Sequence, residues 1–211
     1  GSAVQEAVYH WSPSTFNVFT KTTDIGYHFG TYAAAEDRFV LSRSTDEGSI
    51  RAFYLSIKNP LEMDDIFGGH SINSARDALY QLYTGSVMGD TRGIITEREY
   101  TKAIAFSRQP GTKPAAVWAR ARELIEKAGY DGVKYNNGSE DEGSTSWIAF
   151  RPEQIKSTDN ANPTSDPDVR RSPKAPVFYS ELARQVEKTQ AKAMPAKAWK
   201  DYLRGLLNKG V

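Results

Sequence analysis

Residues 146–157 read SWIAFRPEQIKS. The run Trp147-Ile148-Ala149-Phe150 is short, aromatic and apolar. Gly143-Ser144-Thr145 precede it and Arg151-Pro152 follow it, the pattern of a buried strand. Pro152-Glu153-Gln154-Ile155-Lys156 then predicts a helical turn or bend that returns to the core through Ile155. Immediately upstream, Glu140, Asp141 and Glu142 stand in a Gly/Ser-rich loop that runs into the strand. Such a trio is a solvated loop or one half of an active site.

The segment before this loop leads into it. From Lys113, the run PAAVWARARELIEKAG carries an apolar stripe of Val117, Ala121, Leu124 and Ile125, with Pro114 in its first turn and Gly129 after its last. That is an amphipathic helix with ordinary start and stop signals. YDGVKY at 130–135 predicts a strand leaving it, and Asn136-Asn137-Gly138 turns the chain. Further upstream, 71–83 has helical spacing at Ile72, Ala75, Leu79 and Leu82 and ends at Gly85. Residues 96–107 open on a capping-box pattern, Thr96 with Glu99 three residues on. These helices read as scaffold. IRAFYLSI at 50–57 alternates as a core strand, and 61–69 reads as a turn-rich link.

At the N-terminal end, VQEAVY at 4–9 predicts a first strand that delivers His10 and Trp11 before Ser12-Pro13 stops it. A histidine so placed can face a cleft, although taken alone it is more often a structural hydrogen-bonder. A polar-aromatic loop follows over 16–23. Gly26 and Gly30 then bracket Tyr27, His28 and Phe29, and a helix-favouring run begins at Ala33. Glycines beside a short aromatic strand let a backbone approach something flat. Neither GxxxxGK[ST] nor GxGxxG is present, so this is a poor phosphate loop.

Composition bounds the remaining possibilities. The 211 residues hold one domain of ordinary size and an appendage; 39% are hydrophobic and 11% aromatic, as in soluble globular proteins. No run reaches the ~20 apolar residues of a membrane span. Without cysteine there is neither a disulfide framework nor a thiolate nucleophile, and a reducing, cytoplasmic setting is expected. The three histidines, His10, His28 and His70, lack metal-ligand spacing, so no metal is expected. Gly1-Ser2 reads as a cloning remnant, and the missing initiator Met predicts a piece of a longer protein.

Charge divides the chain. Residues 1–157 carry 17 basic and 20 acidic side chains, net −3, against 10 and 6, net +4, over 158–211. A net-negative body argues against a dedicated nucleic-acid binder. Three parts are expected: a domain over 4–157, a Pro/Asp-rich linker over 158–176 that cannot build a core, and a basic extension of two short amphipathic helices over 177–211.

YHWSP, GYHFGTYA and the acidic loop entering SWIAF, in that order, resemble the three separated elements, often written H-Y-E, of ADP-ribosyltransferase domains. The likeness is to the type carried by phage polyvalent proteins and some bacterial toxins, in the diphtheria-toxin and PARP branch. It covers roughly residues 4–157 and extends into DPDVRRS at 166–172. It implies an α+β fold, a split β-sandwich around an NAD cleft with flanking helices and a short C-terminal helical extension.

The activity it implies is transfer of ADP-ribose from NAD to a macromolecular acceptor, protein or nucleic acid, with release of nicotinamide. By the same resemblance His10, Trp11 and Ser12 position NAD, beside Gly26. Phe29 and Tyr32 stack on nicotinamide, and His28 stands in the register of the usual tyrosine. Trp11 replaces the usual glycine after the first histidine. Ser146 stands where the family has its glutamate, so it becomes a ribose-hydroxyl contact. The carboxylate that faces the developing oxocarbenium then has to come from the loop, with Glu142 expected first and Glu140 next. A catalytically inactive binding module of a larger phage or toxin protein is the alternative, and an NAD glycohydrolase a third.

Overall fold

Residues 146–157 supply strands to two different sheets. In chain order the elements are β1 (Val8–Ser12), β2 (Tyr27–Phe29), α1 (Tyr32–Ser42), β3 (Ser49–Leu55), β4 (Pro60–Met63) and α2 (Ile72–Thr84). They continue with α3 (Glu97–Ser107), α4 (Pro114–Lys127), β5 (Gly132–Asn136), β6 (Thr145–Ala149) and β7 (Ile155–Ser157). The computed structural model describes residues 1–20, 22, 24–42, 48–67, 70–86, 92–160 and 163–170. One sheet has the order β1-β3-β7 and the other β2-β6-β5-β4. The class is α+β, as expected.

β6 lies inside the four-stranded sheet, antiparallel to β2 on one side and β5 on the other. Both of its faces are covered, which is why its sequence is continuously apolar rather than alternating. Ile148 joins Leu61, Met63, Val133 and Tyr135 on the face packed by α2, α3 and α4. Ala149, one residue on, packs the other way with Val8, Phe29, Phe53, Leu55 and Ile155, between the two sheets. β4 and β5 pair in parallel, and parallel neighbours need a long crossover. The crossover contains α2, α3 and α4, so the helical layer is a consequence of that pairing.

The link from β6 to β7 explains the PEQI sequel. A single 3-10 turn, Pro152–Gln154, moves the chain from one sheet to the other. Gln154 Oε1 accepts from the N–H groups of Phe150 (3.0 Å) and Arg151 (2.9 Å), and Nε2 donates to the carbonyls of Asp131 (2.7 Å) and Ser56 (3.2 Å). One amide therefore ties the ends of β3 and β6 to the residue before β5. Gln154→Ala strands these backbone groups and is expected to cost about 1–3 kcal/mol, measured by urea unfolding.

The helix signals are found where the sequence places them. Ser71 caps α2 and Gly85 ends it, Thr96 and Glu99 close a capping box on α3, and Pro114 opens α4. Three differences appear among the strands. β1 starts at Val8 rather than residue 4 and runs on through Trp11 and Ser12 to the stop at Pro13. The link expected over 61–69 includes β4, whose alternation is too short to read, with Leu61 and Met63 buried and Glu62 exposed. Residues 155–157 add β7.

The Pro/Asp-rich segment after Ser157 is not wholly free of the body. Val169 is 1% exposed between the sheets. Its N–H donates to Asn17 O (2.9 Å) and its carbonyl accepts from Ser157 N (3.0 Å). The compact unit containing the sheets runs Gly1–Arg171. Residues 161–162 and 171–176 of the expected linker, and both expected helices of the extension, lie outside the described residues.

Candidate active site

The site forms where β1 and β2 leave the two sheets side by side. Tyr9 and Gly30 exchange both backbone hydrogen bonds (2.8 and 3.1 Å), and beyond that bridge the strands diverge around a cleft of about 560 Å³. That is within the range of roughly 300–1,000 Å³ usual for small-molecule sites. Two glycines make the approach possible. A Cβ on Gly26 would stand 2.5 Å from Ile148 Cγ2 and 2.6 Å from Ala149 O, and one on Gly30 would stand 3.0 Å from Ser146 Oγ.

All three histidines, far apart in the chain, line this cleft. His10 Nδ1 lies 2.8 Å from the carbonyl of His28, so Nδ1 holds the hydrogen and Nε2 the lone pair. Burial lowers the His10 pKa to about 4, against the raising effect of that bond. The ring is fixed edge-on or tilted among Phe16, Phe19 and Phe29. Because the folded value lies below the ordinary 6.5, the unfolded chain takes up this proton first. Stability contributed by neutral His10 is complete above about pH 6.5 and is lost as pH falls toward 4. Thermal melts across that window are expected to show the decline, and His10→Gln to flatten it.

His28 points to the opposite face of β2 from Phe29. Its Nδ1 lies 3.3 Å from Tyr135 Oη, and its Nε2 lies 3.1 Å from Asp24 Oδ2. The latter contact is close but not in line, so Nε2 has no straight hydrogen bond. Asp24 is 8% exposed. Burial pushes its pKa up, but His28, the Gly26 N–H and the Thr22 hydroxyl together hold it below the usual carboxylate value. His70 approaches the same oxygen at 3.6 Å.

The opposite wall comes from β5, β6 and the loop between them. Ser146, 2% exposed, faces the cleft beside Tyr135 and accepts from Asn137 Nδ2 (3.0 Å). Asn137 Oδ1 in turn accepts from the N–H groups of Ser139 (3.0 Å) and Glu140 (2.9 Å), which shapes the acidic loop. α1 holds that loop from the other side. Asp37 accepts from Asp141 N (2.9 Å), the Thr31 hydroxyl donates to the Asp141 carboxylate, and Arg38 lies 3.4 Å from Glu140.

The candidates therefore separate. His10, Trp11, Gly26, His28, Phe29, Ser146 and Glu140 line one cleft. Glu142, the first expectation for the carboxylate, is exposed in the loop and does not line it; Glu140 does. Ser12 is buried and donates to Ser14 O (2.8 Å), closing its own turn. Tyr32, the second expected stacking ring, is 53% exposed and packs edge-on against Tyr9, away from the wall. Phe29 lines the cleft as a fixed ring, packed against Phe19 and Phe53. Trp11 lies beside Phe39, with its buried Nε1 unpartnered.

Arg38, Asp65, His70, Tyr135 and Asn137 join the wall without having been singled out as site residues from the sequence, and so does Asp24. The available signal was indirect. Tyr135 pairs with Ser146 in the β5–β6 register, so a strand pairing would have placed them together.

The model of the family described as ADP-ribosyltransferase in polyvalent proteins matches residues 5–165. The chain belongs to that family. The match spans both sheets, the cleft and every candidate residue, and it makes the domain a transferase at the level of the family. No curated protein matches the chain significantly. A solved structure described as the crystal structure of an anti-CRISPR protein is similar at 14% identity, covering 70% of this chain and 91% of that one, with a TM-score of 0.31. Likeness at that level says nothing about function. No helix among the described residues is long and apolar enough to cross a membrane.

Proposed function

We propose that the domain transfers ADP-ribose from NAD, as substrate, to a macromolecular acceptor and releases nicotinamide. The observation that carries this reading is the convergence of His10, His28, Phe29, Ser146 and Glu140, drawn from three separated elements, on one cleft. Two sheets packed across a shared aromatic cluster fit the split β-sandwich expected of such a domain.

The residues present suit the substrate's parts. The aromatic side, with Phe29 and the neutral His10, offers a flat apolar wall and an Nε2 acceptor for an amide. The polar side offers Ser146 to a ribose hydroxyl. Arg38 pairs with Glu140 at a half-exposed position, where such a pair is weak, and a pyrophosphate would take the guanidinium and leave Glu140 free. As the bond between nicotinamide and ribose breaks, nicotinamide departs with the electron pair and positive charge develops on the ribose. Glu140 faces that charge. The acceptor's nucleophilic atom then bonds to the ribose carbon and gives up a proton.

The test is incubation of the chain with labelled NAD and a cell extract. Label is expected on a macromolecule together with released nicotinamide. Absence of labelling, of NAD cleavage and of any NAD-dependent rise in melting temperature overturns the reading. Free ADP-ribose with no labelled acceptor assigns a glycohydrolase instead. The occurrence of Ser146 where the resemblance expects glutamate favours a second reading, a non-catalytic module, which predicts binding without cleavage.

A further inference from the structure

The part of the cleft wall carried by residues 16–20 has no helix or strand of its own beyond one bridge, which Val18 makes with Asp168. Phe16, Val18, Phe19 and Thr20 nonetheless line the cleft, and Phe16 and Phe19 are two of the rings that fix His10. A loop that holds side chains in place needs its backbone tied from outside. Three of its carbonyls are tied in this way. Phe16 O accepts from Arg51 Nη1 (2.7 Å), Asn17 O from Val169 N (2.9 Å) and Phe19 O from the Tyr27 hydroxyl (3.0 Å). The first and last ties come from side chains of β3 and β2. The middle one is a backbone bond from the far end of the described chain.

That end is itself anchored. Val169 O accepts from Ser157 N (3.0 Å) and Asn160 Nδ2 (3.1 Å), and Lys156 Nζ donates to Asp166 O. Within the segment, Asp166 Oδ1 accepts from Asp168 N (2.8 Å), and Asp168 pairs with Arg170 (2.9 Å). The Val169 side chain, 1% exposed, belongs to the same apolar cluster as Phe19, Phe29 and Phe53. Arg51 and Tyr27 hold the two ends of the loop, but neither occupies the space that Val169 fills. Residues 166–170 thus join β7 on one side to the cleft loop on the other. They lie beyond residue 165, where the family match ends, yet inside the compact unit that runs to Arg171.

We propose that residues 166–170 are a clasp that completes the cleft, with Val169 as the positioning residue that sets loop 16–20, and through Phe16 and Phe19 the His10 ring, in the ligand-binding arrangement. The clasp does not depend on which ligand the cleft takes. Only the affinity arm of its test rests on the NAD reading.

The experiment is carbon–proton NMR of the histidine rings in the full chain, with signals assigned by His10→Gln, His28→Gln and His70→Gln. In the unaltered chain the phenylalanine rings around His10 displace its signals from those of an exposed histidine. Val169→Asn puts an amide into an apolar cluster, which disfavours the docked clasp. The His10 signals are expected to move toward exposed-histidine values, while those of His70, beside Asp24, stay. Val169→Ile keeps the apolar contact and is expected to keep all three sets. Unmoved His10 signals in folded Val169→Asn overturn the proposal. Equal displacement of all three histidines, as a merely structural loss would produce, also overturns it. If Val169→Asn does not fold, Lys156→Met decides: losing the bond to Asp166 O is expected to move the His10 signals the same way by less, and no movement overturns the clasp.

Calorimetry with NAD is the second arm. About tenfold weaker binding in Val169→Asn, absent in Val169→Ile, is expected because Phe16 and Phe19 must be re-ordered when the ligand enters. Equal binding in Val169→Asn, with displaced His10 signals, overturns the role in binding. His10 signals that follow the clasp, with no NAD binding by the unaltered chain, uphold the positioning of the loop and overturn the NAD reading alone.

Discussion

On the proposed reading, replacing Glu140 by Gln is expected to lower the rate of nicotinamide release from NAD by about 100- to 1,000-fold, on the order of 3–4 kcal/mol of transition-state stabilisation, with little change in KM. The sign and the split follow from where the charge appears. Glutamine keeps the shape and hydrogen-bonding capacity of the side chain but cannot oppose a cation that exists only as the nicotinamide–ribose bond breaks. Ground-state binding therefore survives while the barrier rises. Glu142→Gln is expected to stay within about twofold of the unaltered chain, because Glu142 is exposed and off the cleft wall. Rates from a nicotinamide-release assay on both variants decide the matter. A large loss in Glu142→Gln with none in Glu140→Gln would falsify the assignment.

Truncating Trp118 to Ala destabilises the domain by about 3–5 kcal/mol and lowers its melting temperature by roughly 6–20 °C. Trp118 is fully buried on α4 in the core between the helices and the four-stranded sheet. Removing its ring leaves a cavity that the crossover helices, tied to β4 and β5 at both ends, cannot fully close. The effect reaches the cleft through Phe67, whose ring lies 6.1 Å from Trp118, 5.6 Å from His28 and 5.1 Å from Tyr135. Trp118→Phe costs much less, since the change also deletes a buried Nε1–H that has no partner. Calorimetric melts of the two variants separate the contributions of ring volume and polar burial.

Much of the scaffold is legible in the sequence because it is local. The capping box at Thr96 and Glu99, Pro114 at the start of α4 and Gly85 after α2 act within a turn or two of chain. The strand Trp147–Phe150 is legible for another reason: burial on both faces leaves a continuous apolar run. β4 is not legible, because four residues beginning with Pro60 become a strand only through their parallel partner β5, some 70 residues away.

The site divides along the same line. Its motif residues His10, His28, Phe29 and Ser146 are visible as glycine-flanked or strand-end positions and through the family resemblance. The choice among Glu140, Asp141 and Glu142 is invisible, because a loop has no fixed side-chain period and Asp141 takes a positive φ of 49°. That choice is made by Asn137, which holds the backbone of Ser139 and Glu140, and by Thr31, Asp37 and Arg38 of the α1 region. Tyr135 belongs to the site only because the pleat and register of β2, β6 and β5 bring it to His28 on one face, and a single-residue slip would send it to the other, whereas Asp24 reaches His28 within the turn before β2.

By itself, then, the sequence determined the helices α2 to α4, the strands other than β4 and β7, the α+β class and the three motifs, since caps, periodicity and flanking glycines are properties of neighbouring residues. Only the tertiary structure decided which carboxylate faces the cleft and that all three histidines meet there. Those outcomes depend on strand register and on loop contacts between segments more than 100 residues apart, such as Asp37 with Asp141.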